Sequence, residues 1–446
     1  MDNQKQSSGL DYEQGSITSL FCKVFIPTLL GMISNALLTI IDGIFVGQGV
    51  GPDGIAAVNI IAPLFMITTG IALMFGIGSS VSAGIALASK DHTRANIIMS
   101  SAFLISSIII MILMAFCFMF SEGTARMLGC SDLLLNNATD YLTYLLIGLL
   151  PLMWQCIGMM IIRLDGSPKY AMLCNAIPAI LNIVLDWWFV FPLGMGVKGA
   201  ALATSIACIT GGLMSVCYFG FSYRLKFTYL LPGFWRVVKN QVIIGSSAFI
   251  TEIAMSVMMF TGNIVFMRSW GESGVAAYSI ACYLFPLIFM ISNAVAQSAQ
   301  PIISVNYGAH KPQRVRQALR VSLLVATLCG IISTVGIGSG ATLIVGMFIP
   351  VSSPAGILAV DGLPIFAVAA TLFALNIAFI GYYQSIEKSF VALILTLMRG
   401  IIFLVPLFFV LPTIFPDWGM WGAIPASELL TLMITVITFK HYSKLK

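Results

Sequence analysis

Charge is scarce in this chain. Lys and Arg number 22 and Asp and Glu 17, together 9% of 446 residues, where soluble domains carry about 25%. With a mean hydropathy of +0.99, that scarcity excludes an ordinary soluble globule. Histidine is scarcer still: His92, His310 and His441 are the only three, all in connections or at the tail. None is left inside an apolar run to hold a metal or serve a nucleophilic triad. The nine cysteines include no CxxC pair. Most lie inside apolar runs, where Cys packs as a small apolar residue, so neither a disulfide nor a metal site is read from them. Gly-rich phosphate loops are absent, Gly338-Ser339-Gly340 being too short a pattern to count. The chain is not read as an enzyme. It has no room for a soluble ATPase domain, so any transport would draw on an ion gradient, with no cofactor.

What is abundant is apolar sequence. A spanning helix needs roughly 20 apolar residues, and twelve stretches qualify: 17–47, 54–88, 95–120, 138–162, 170–192, 198–222, 241–268, 275–307, 317–347, 358–385, 389–413 and 421–441. The longer ones must tilt or include interfacial turns. The expected fold is an all-α integral membrane protein with twelve transmembrane helices. The first run is too long for a signal h-region and reads as an uncleaved first span.

The formal net charge of +5 has a pattern. Lys90, Arg94, Arg163, Lys169, Arg224, Lys226, Arg236, Lys239, Lys311, Arg314, Arg316, Arg320 and Lys388 fall in alternate connections, and Lys5 and Lys446 lie near the termini. The opposite connections hold only Arg126, Lys198 and Arg268. By the positive-inside rule both termini are cytoplasmic, as an even span count requires. The inner, or plasma, membrane of a prokaryotic-type cell is the expected location. These bases read as topology signals and not as a nucleic-acid surface.

The chain also repeats itself. Gly54-Ile55-Ala56-Ala57 matches Gly274-Val275-Ala276-Ala277, and Gly196-Val197-Lys198-Gly199-Ala200 matches Gly419-Met420-Trp421-Gly422-Ala423. Two pseudo-symmetric six-helix lobes follow, residues 1–222 and 241–446, joined by a polar cytoplasmic connection over 223–240 that contains Pro232-Gly233. Internal repeats of this kind are a transporter signature.

Acids inside the spans are the most telling residues, because a carboxylate at membrane depth costs roughly 2.5–3.5 kcal/mol. At a rise of about 1.5 Å per residue, Asp42, Asp186 and Thr204 each lie about 8 Å below the outer boundary, and Asn182 about 14 Å. Asn182 and Asp186 are spaced i, i+4 and share a helix face. On the first span Asn35, Thr39 and Asp42 form a similar stripe. Such oxygens are hard ligands, suited to Na⁺ or to a shared proton. The alternative is that each Asp merely caps or hydrogen-bonds a neighbouring helix.

The second half lacks this set and has Glu252 and Arg399, both near mid-depth. They read either as a buried ion pair joining spans 7 and 11 or, for Glu252, as a contact in a polar cavity with Ser256 and Asn263 on its face. Glu428 reads as a near-surface residue. Asn293, Gln297 and Gln300 stripe span 8, as interhelical hydrogen bonding or as substrate contacts. Pro27, fifteen residues before Asp42, removes a backbone hydrogen bond and favours a kink.

At this point the chain resembles the MATE family, the multidrug and toxic compound extrusion transporters, on its DinF and MepA-like side. The resemblance rests on Pro27…Asp42-Gly43-Ile44-Phe45-Val46-Gly47, on Asn182-Ile183-Val184-Leu185-Asp186, on the run Leu193 to Thr204, and on Gln300-Pro301-Ile302-Ile303-Ser304-Val305-Asn306-Tyr307-Gly308. It implies an amino-lobe cation site at Asp42, Asn182, Asp186 and Thr204 and a bending proline at Pro27. Trp187 stands where many members have proline, and Asn376 where the NorM-like branch has an Asp. Glu252 matches the helix 7 acid of NorM-like members. The implied function is an antiporter, expected to act as a monomer, exporting organic and often cationic compounds in exchange for H⁺ or Na⁺. The alternatives weighed are a lipid-linked oligosaccharide flippase of the same superfold, which would carry several deep basic residues, and an intramembrane enzyme.

Overall fold

The computed structural model describes residues 10–444 apart from 51, 129, 131, 133, 223, 224 and 229–233. Tyr223, Arg224 and Pro232-Gly233 of the expected inter-lobe connection lie outside these residues, as do Lys5 and Lys446. Among the described residues the regular structure is helical throughout, with no strand. In chain order the helices are α1 (Ile17–Gly49), α2 (Pro52–Ala88), α3 (His92–Met119), α4 (Ser121–Met127), α5 (Leu135–Leu164), α6 (Pro168–Val190), α7 (Val197–Phe221), α8 (Phe234–Gly308), α9 (Pro312–Ser339), α10 (Ala341–Phe348), α11 (Pro354–Ser385), α12 (Ser389–Leu397), a π-helical turn (Met398–Ile402), α13 (Leu404–Ile414) and α14 (Gly419–Lys444).

Eleven of these segments are long and apolar enough to cross a membrane. One of them, α8, has 75 residues, about 110 Å of helix against a hydrocarbon core of about 30 Å. Gly271, at φ 60° and ψ −148°, breaks it. The Tyr278 hydroxyl donates to the Met258 carbonyl at 3.1 Å, and the Phe266 and Tyr278 rings stack with centroids 4.5 Å apart. Contacts between positions twelve and twenty residues apart mean that the chain doubles back, so α8 is two spans and the protein is a twelve-span membrane protein.

The helices gather into two compact units. One comprises Met1–Phe249 with Ser304–Lys311, the other Ile250–Ile303 with Pro312–Lys446. The first unit thus takes residues 241–249 and 304–311 from the segment expected in the second lobe. The reason is local packing. Buried Gln241 donates to the Ile98 carbonyl (2.7 Å) and the Ser101 hydroxyl (3.0 Å). Gly245 lies so close to α2 that a Cβ there would collide with the Met74 carbonyl. At the other end Asn306 donates to the Tyr12 carbonyl at 2.9 Å, and Lys311 pairs with Glu13 at 2.7 Å.

In the first unit α5 is the central element, packed along α2 and α7. Small residues allow the approach, as expected where van der Waals packing drives association: a Cβ at Gly148 or Gly158 would meet Ser205 or Ser215 of α7 at 2.7 or 2.6 Å. The second unit is organised around α11, packed on α9 and α14, with Phe266, Tyr278, Phe366, Phe373, Phe408 and Trp421 in its core.

The repeat is visible in the backbone itself. Helices α2, α5, α8 and α11 all end in the same motif. The N–H of Lys90, Gly166, His310 and Glu387 returns to the carbonyl three residues back, and the next N–H returns to the carbonyl five back. Each motif turns on a residue with positive φ: Lys90 at 59°, Gly166 at 88°, His310 at 55° and Glu387 at 58°. These are Schellman caps, whose left-handed position favours glycine. Gly166 already meets that demand and Glu387, its counterpart 221 residues on, does not. Glu387→Gly is therefore expected to raise the apparent Tm by about 1–3 °C, and Gly166→Ala to lower it, in thermal unfolding of the purified protein.

Candidate functional site

The four oxygen-bearing residues of the first unit lie on three helices whose packing brings them together. Helix α1 runs close along α6: a Cβ at Gly31 would stand 3.4 Å from the Asn175 amide, and one at Gly49 would collide with Val190. This seam holds Asp42 of α1 against Asp186 of α6, side chain to side chain within hydrogen-bonding reach. Asn182, one turn before Asp186, donates from Nδ2 to the Thr204 hydroxyl of α7 at 3.4 Å. Asn182 and Asp186 are both 0% exposed, whereas Asp42 and Thr204 are half-buried. Tyr141 of α5, also buried, lies within electrostatic range of both acids.

The hydrogen-bond inventory of this cluster does not close. Asp42 Oδ1, Asp186 Oδ1 and Oδ2, and Asn182 Oδ1 are buried without a partner. Among the described residues no basic side chain pairs with either acid. An unanswered polar atom in a low-dielectric interior costs one to several kcal/mol, and two like charges this close repel strongly. One positive charge placed between the acids removes both costs. A shared proton fits, and so does a small hard cation, since every donor in the set is oxygen. No group of three or more His, Cys, Asp or Glu suited to a resident metal occurs among the described residues.

Other sequence-flagged residues fall differently. Pro27 is buried inside α1, which runs as helix on both sides of it. Asn35 is exposed, and the Thr39 side chain lies outside the described atoms. Asn293 donates to the Phe289 carbonyl of its own helix at 3.1 Å. Gln297 is buried, and Ser256 and Asn263 are exposed on the first arm of α8.

In the second unit the ion pair between Glu252 and Arg399, one of the two readings of these residues, does not form. Arg399 pairs with Glu428 of α14 instead. Its Nη2 and Nε approach Oε1 at 2.8 and 3.0 Å, and Nε approaches Oε2 at 3.3 Å. Asn376 of α11 donates to Glu428 Oε2 at 2.7 Å. Glu428, read from the sequence as near-surface, is only 2% exposed. Depth along a span does not fix the direction in which a residue points, and that direction decided the partner. Glu252 is buried and makes no ion pair among the described residues. Sequence reasoning did not single out Tyr141, which stands near the start of the stretch 138–162 beside Asp140.

A twelve-span bundle in two helical units, with two acids side by side at the α1–α6 seam, has the form of a membrane transporter. The MatE family profile matches residues 27–188 and 247–410, and the chain belongs to the MatE family. The multidrug export protein MepA of Staphylococcus saprophyticus is 22% identical over 440 residues, covering 96% of this chain and 95% of its own length. A FAD transporter of Shewanella oneidensis is 26% identical over 67% of each chain. The outward-facing structure of a multidrug resistance MATE family transporter of the MOP superfamily superposes with a TM-score of 0.91 at 23% identity, covering 98% of both chains.

Proposed function

We propose that this protein is a multidrug efflux antiporter that exports organic, often cationic compounds from the cytoplasm in exchange for H⁺ or Na⁺. The observation that carries the reading is the Asp42–Asp186 pair, a fully buried acid beside a half-buried one, with no basic partner among the described residues. MatE family membership and the similarity to multidrug export proteins support the substrate class. The coupling cation enters between Asp42 and Asp186, where Asn182 and Thr204 complete an oxygen-rich surround. Coupling follows if the cation binds the outward-open and inward-open states unequally. Cation entry then favours substrate release outside, and its departure to the cytoplasm resets the carrier. The protein works as a monomer in the plasma membrane with both termini cytoplasmic. It makes and breaks no covalent bond, and Glu252, Ser256, Asn263, Asn293 and Gln297 are contacts for the organic substrate.

The flippase alternative needs free deep positive charge to meet a pyrophosphate. Arg399 is already paired with Glu428, which disfavours that reading.

Reconstitution tests the assignment. In proteoliposomes loaded with a cationic dye, an imposed ΔpH or ΔpNa is expected to drive dye movement against its gradient, and dissipating the ion gradient is expected to stop it. If neither gradient moves any member of a broad panel of organic cations, the antiport reading falls.

A further inference from the structure

The surroundings of Glu428 have the make-up of a cation cage. Its carboxylate is 2% exposed. Asn376, 1% exposed, donates from Nδ2 to that carboxylate and to the Glu428 carbonyl (2.9 Å), which leaves Asn376 Oδ1 buried without a partner. The Phe373 ring presents its face, with the Arg399 guanidinium carbon 4.2 Å from its centroid. A small cavity adjoins the group, walled by Thr251, Met255, Met258, Phe285 and Leu404. An anionic oxygen pair and an aromatic face are what a desolvated cation needs.

The backbone is arranged to deliver Arg399 into this cage. In the π-helical turn the Phe403 N–H bonds to the Met398 carbonyl, five residues back, at 2.9 Å. A regular α-helix would send it to Arg399. The Ser427 hydroxyl donates to the Arg399 carbonyl at 2.7 Å, so α14 supplies both the counter-ion and this backbone bond. Single π turns concentrate at functional sites.

We infer that the second unit contains a cation site whose occupant is the chain's own Arg399. The guanidinium is a tethered ion: it gives Glu428 the positive charge that Asp42 and Asp186 must take from solution. The site is closed to diffusible cations in this protein and opens to small monovalent cations, Na⁺, Li⁺ or guanidinium, when the side chain is truncated. This assignment stands apart from the transport reading, because it concerns binding and is read out by stability.

The test uses the full-length protein in detergent, in an Asp42→Asn/Asp186→Asn background so that the first unit contributes no cation response. Apparent Tm is followed against NaCl, LiCl, KCl and guanidinium chloride in the low millimolar range, at constant ionic strength with choline chloride. Arg399→Ala in that background is expected to gain stability saturably with at least one of these cations, by about 2–4 °C at ten times the half-saturating concentration. The parent is expected to stay flat, and adding Glu428→Gln is expected to abolish the gain. Arg399→Gln, which keeps an amide donor near Glu428 without the charge, is the second variant should the alanine form not fold. No shift in either variant overturns the inference. So does an equal shift in the parent, a shift that survives Glu428→Gln, or failure to recover either variant even when purified in these salts.

Discussion

Asp186→Asn is expected to abolish ion-driven export while leaving the protein folded. The substitution keeps the side chain's shape at a position with no exposure and removes only the charge. No basic partner is orphaned, because none pairs with Asp186 among the described residues. The new amide even offers a donor to the Asp42 carboxyl, so the apparent Tm should hold or rise. What disappears is the differential binding of the coupling ion. Coupling free energies of this type correspond to roughly a 5–150-fold change in affinity, and losing that difference should leave uphill export at the level seen without an ion gradient. Asp42→Asn should behave alike, and the double variant should be no worse than either single one, since the two acids serve one cation. The informative comparison is between uphill export and downhill substrate exchange in the same proteoliposomes. Loss of the first with retention of the second marks a lesion in coupling. Wild-type uphill rates in both single variants would remove the cation site from the mechanism.

The second large effect concerns stability. Glu428→Ala should destabilise the second unit by about 3–5 kcal/mol, the typical cost of breaking a buried ion pair and leaving one charge unanswered. Arg399 would keep only the Phe373 ring face, worth about 2 kcal/mol or less, and Asn376 would lose an acceptor. Replacing the whole pair is different: Arg399→Met with Glu428→Leu should lie within about 1 kcal/mol of the parent, because the desolvation cost leaves with the charges. Thermal unfolding of the parent, Arg399→Met, Glu428→Leu and the double variant measures the coupling directly. A near-neutral Glu428→Ala would mean that water reaches the pair.

These expectations also show where sequence reasoning stopped. The twelve spans were legible because apolar length is counted along the chain, and even the 75-residue α8 separates into two runs on either side of Gly271. The cluster of Asp42, Asn182, Asp186 and Thr204 could be nominated because depth follows from helical rise. Membrane-buried acids are costly enough to stand out besides. Azimuth could not be read in the same way. Depth offered Glu252 as the partner of Arg399 and left Glu428 near the surface, and the π turn that carries Arg399 beside α14 leaves no mark in composition or period. The change of unit at Phe249 was hidden for a related reason: Gln241 and Gly245 continue an apolar run, and only their close seats on α2 and α3 tie them to the first unit. Tyr141 is one of thirteen tyrosines in the chain, with nothing local to set it apart.

The π turn has a consequence for how this chain can change over generations. It amounts to one surplus residue wedged into an otherwise regular rod. Losing a single codon between Met398 and Ile402 would straighten the rod and swing whatever lies on one side of the deletion by about 100° relative to the other. Either the guanidinium or the apolar surface of α13 would then face the wrong neighbour. The insertion, the arginine and the glutamate must be inherited as a set, and a descendant that drops one should be found to have dropped all three.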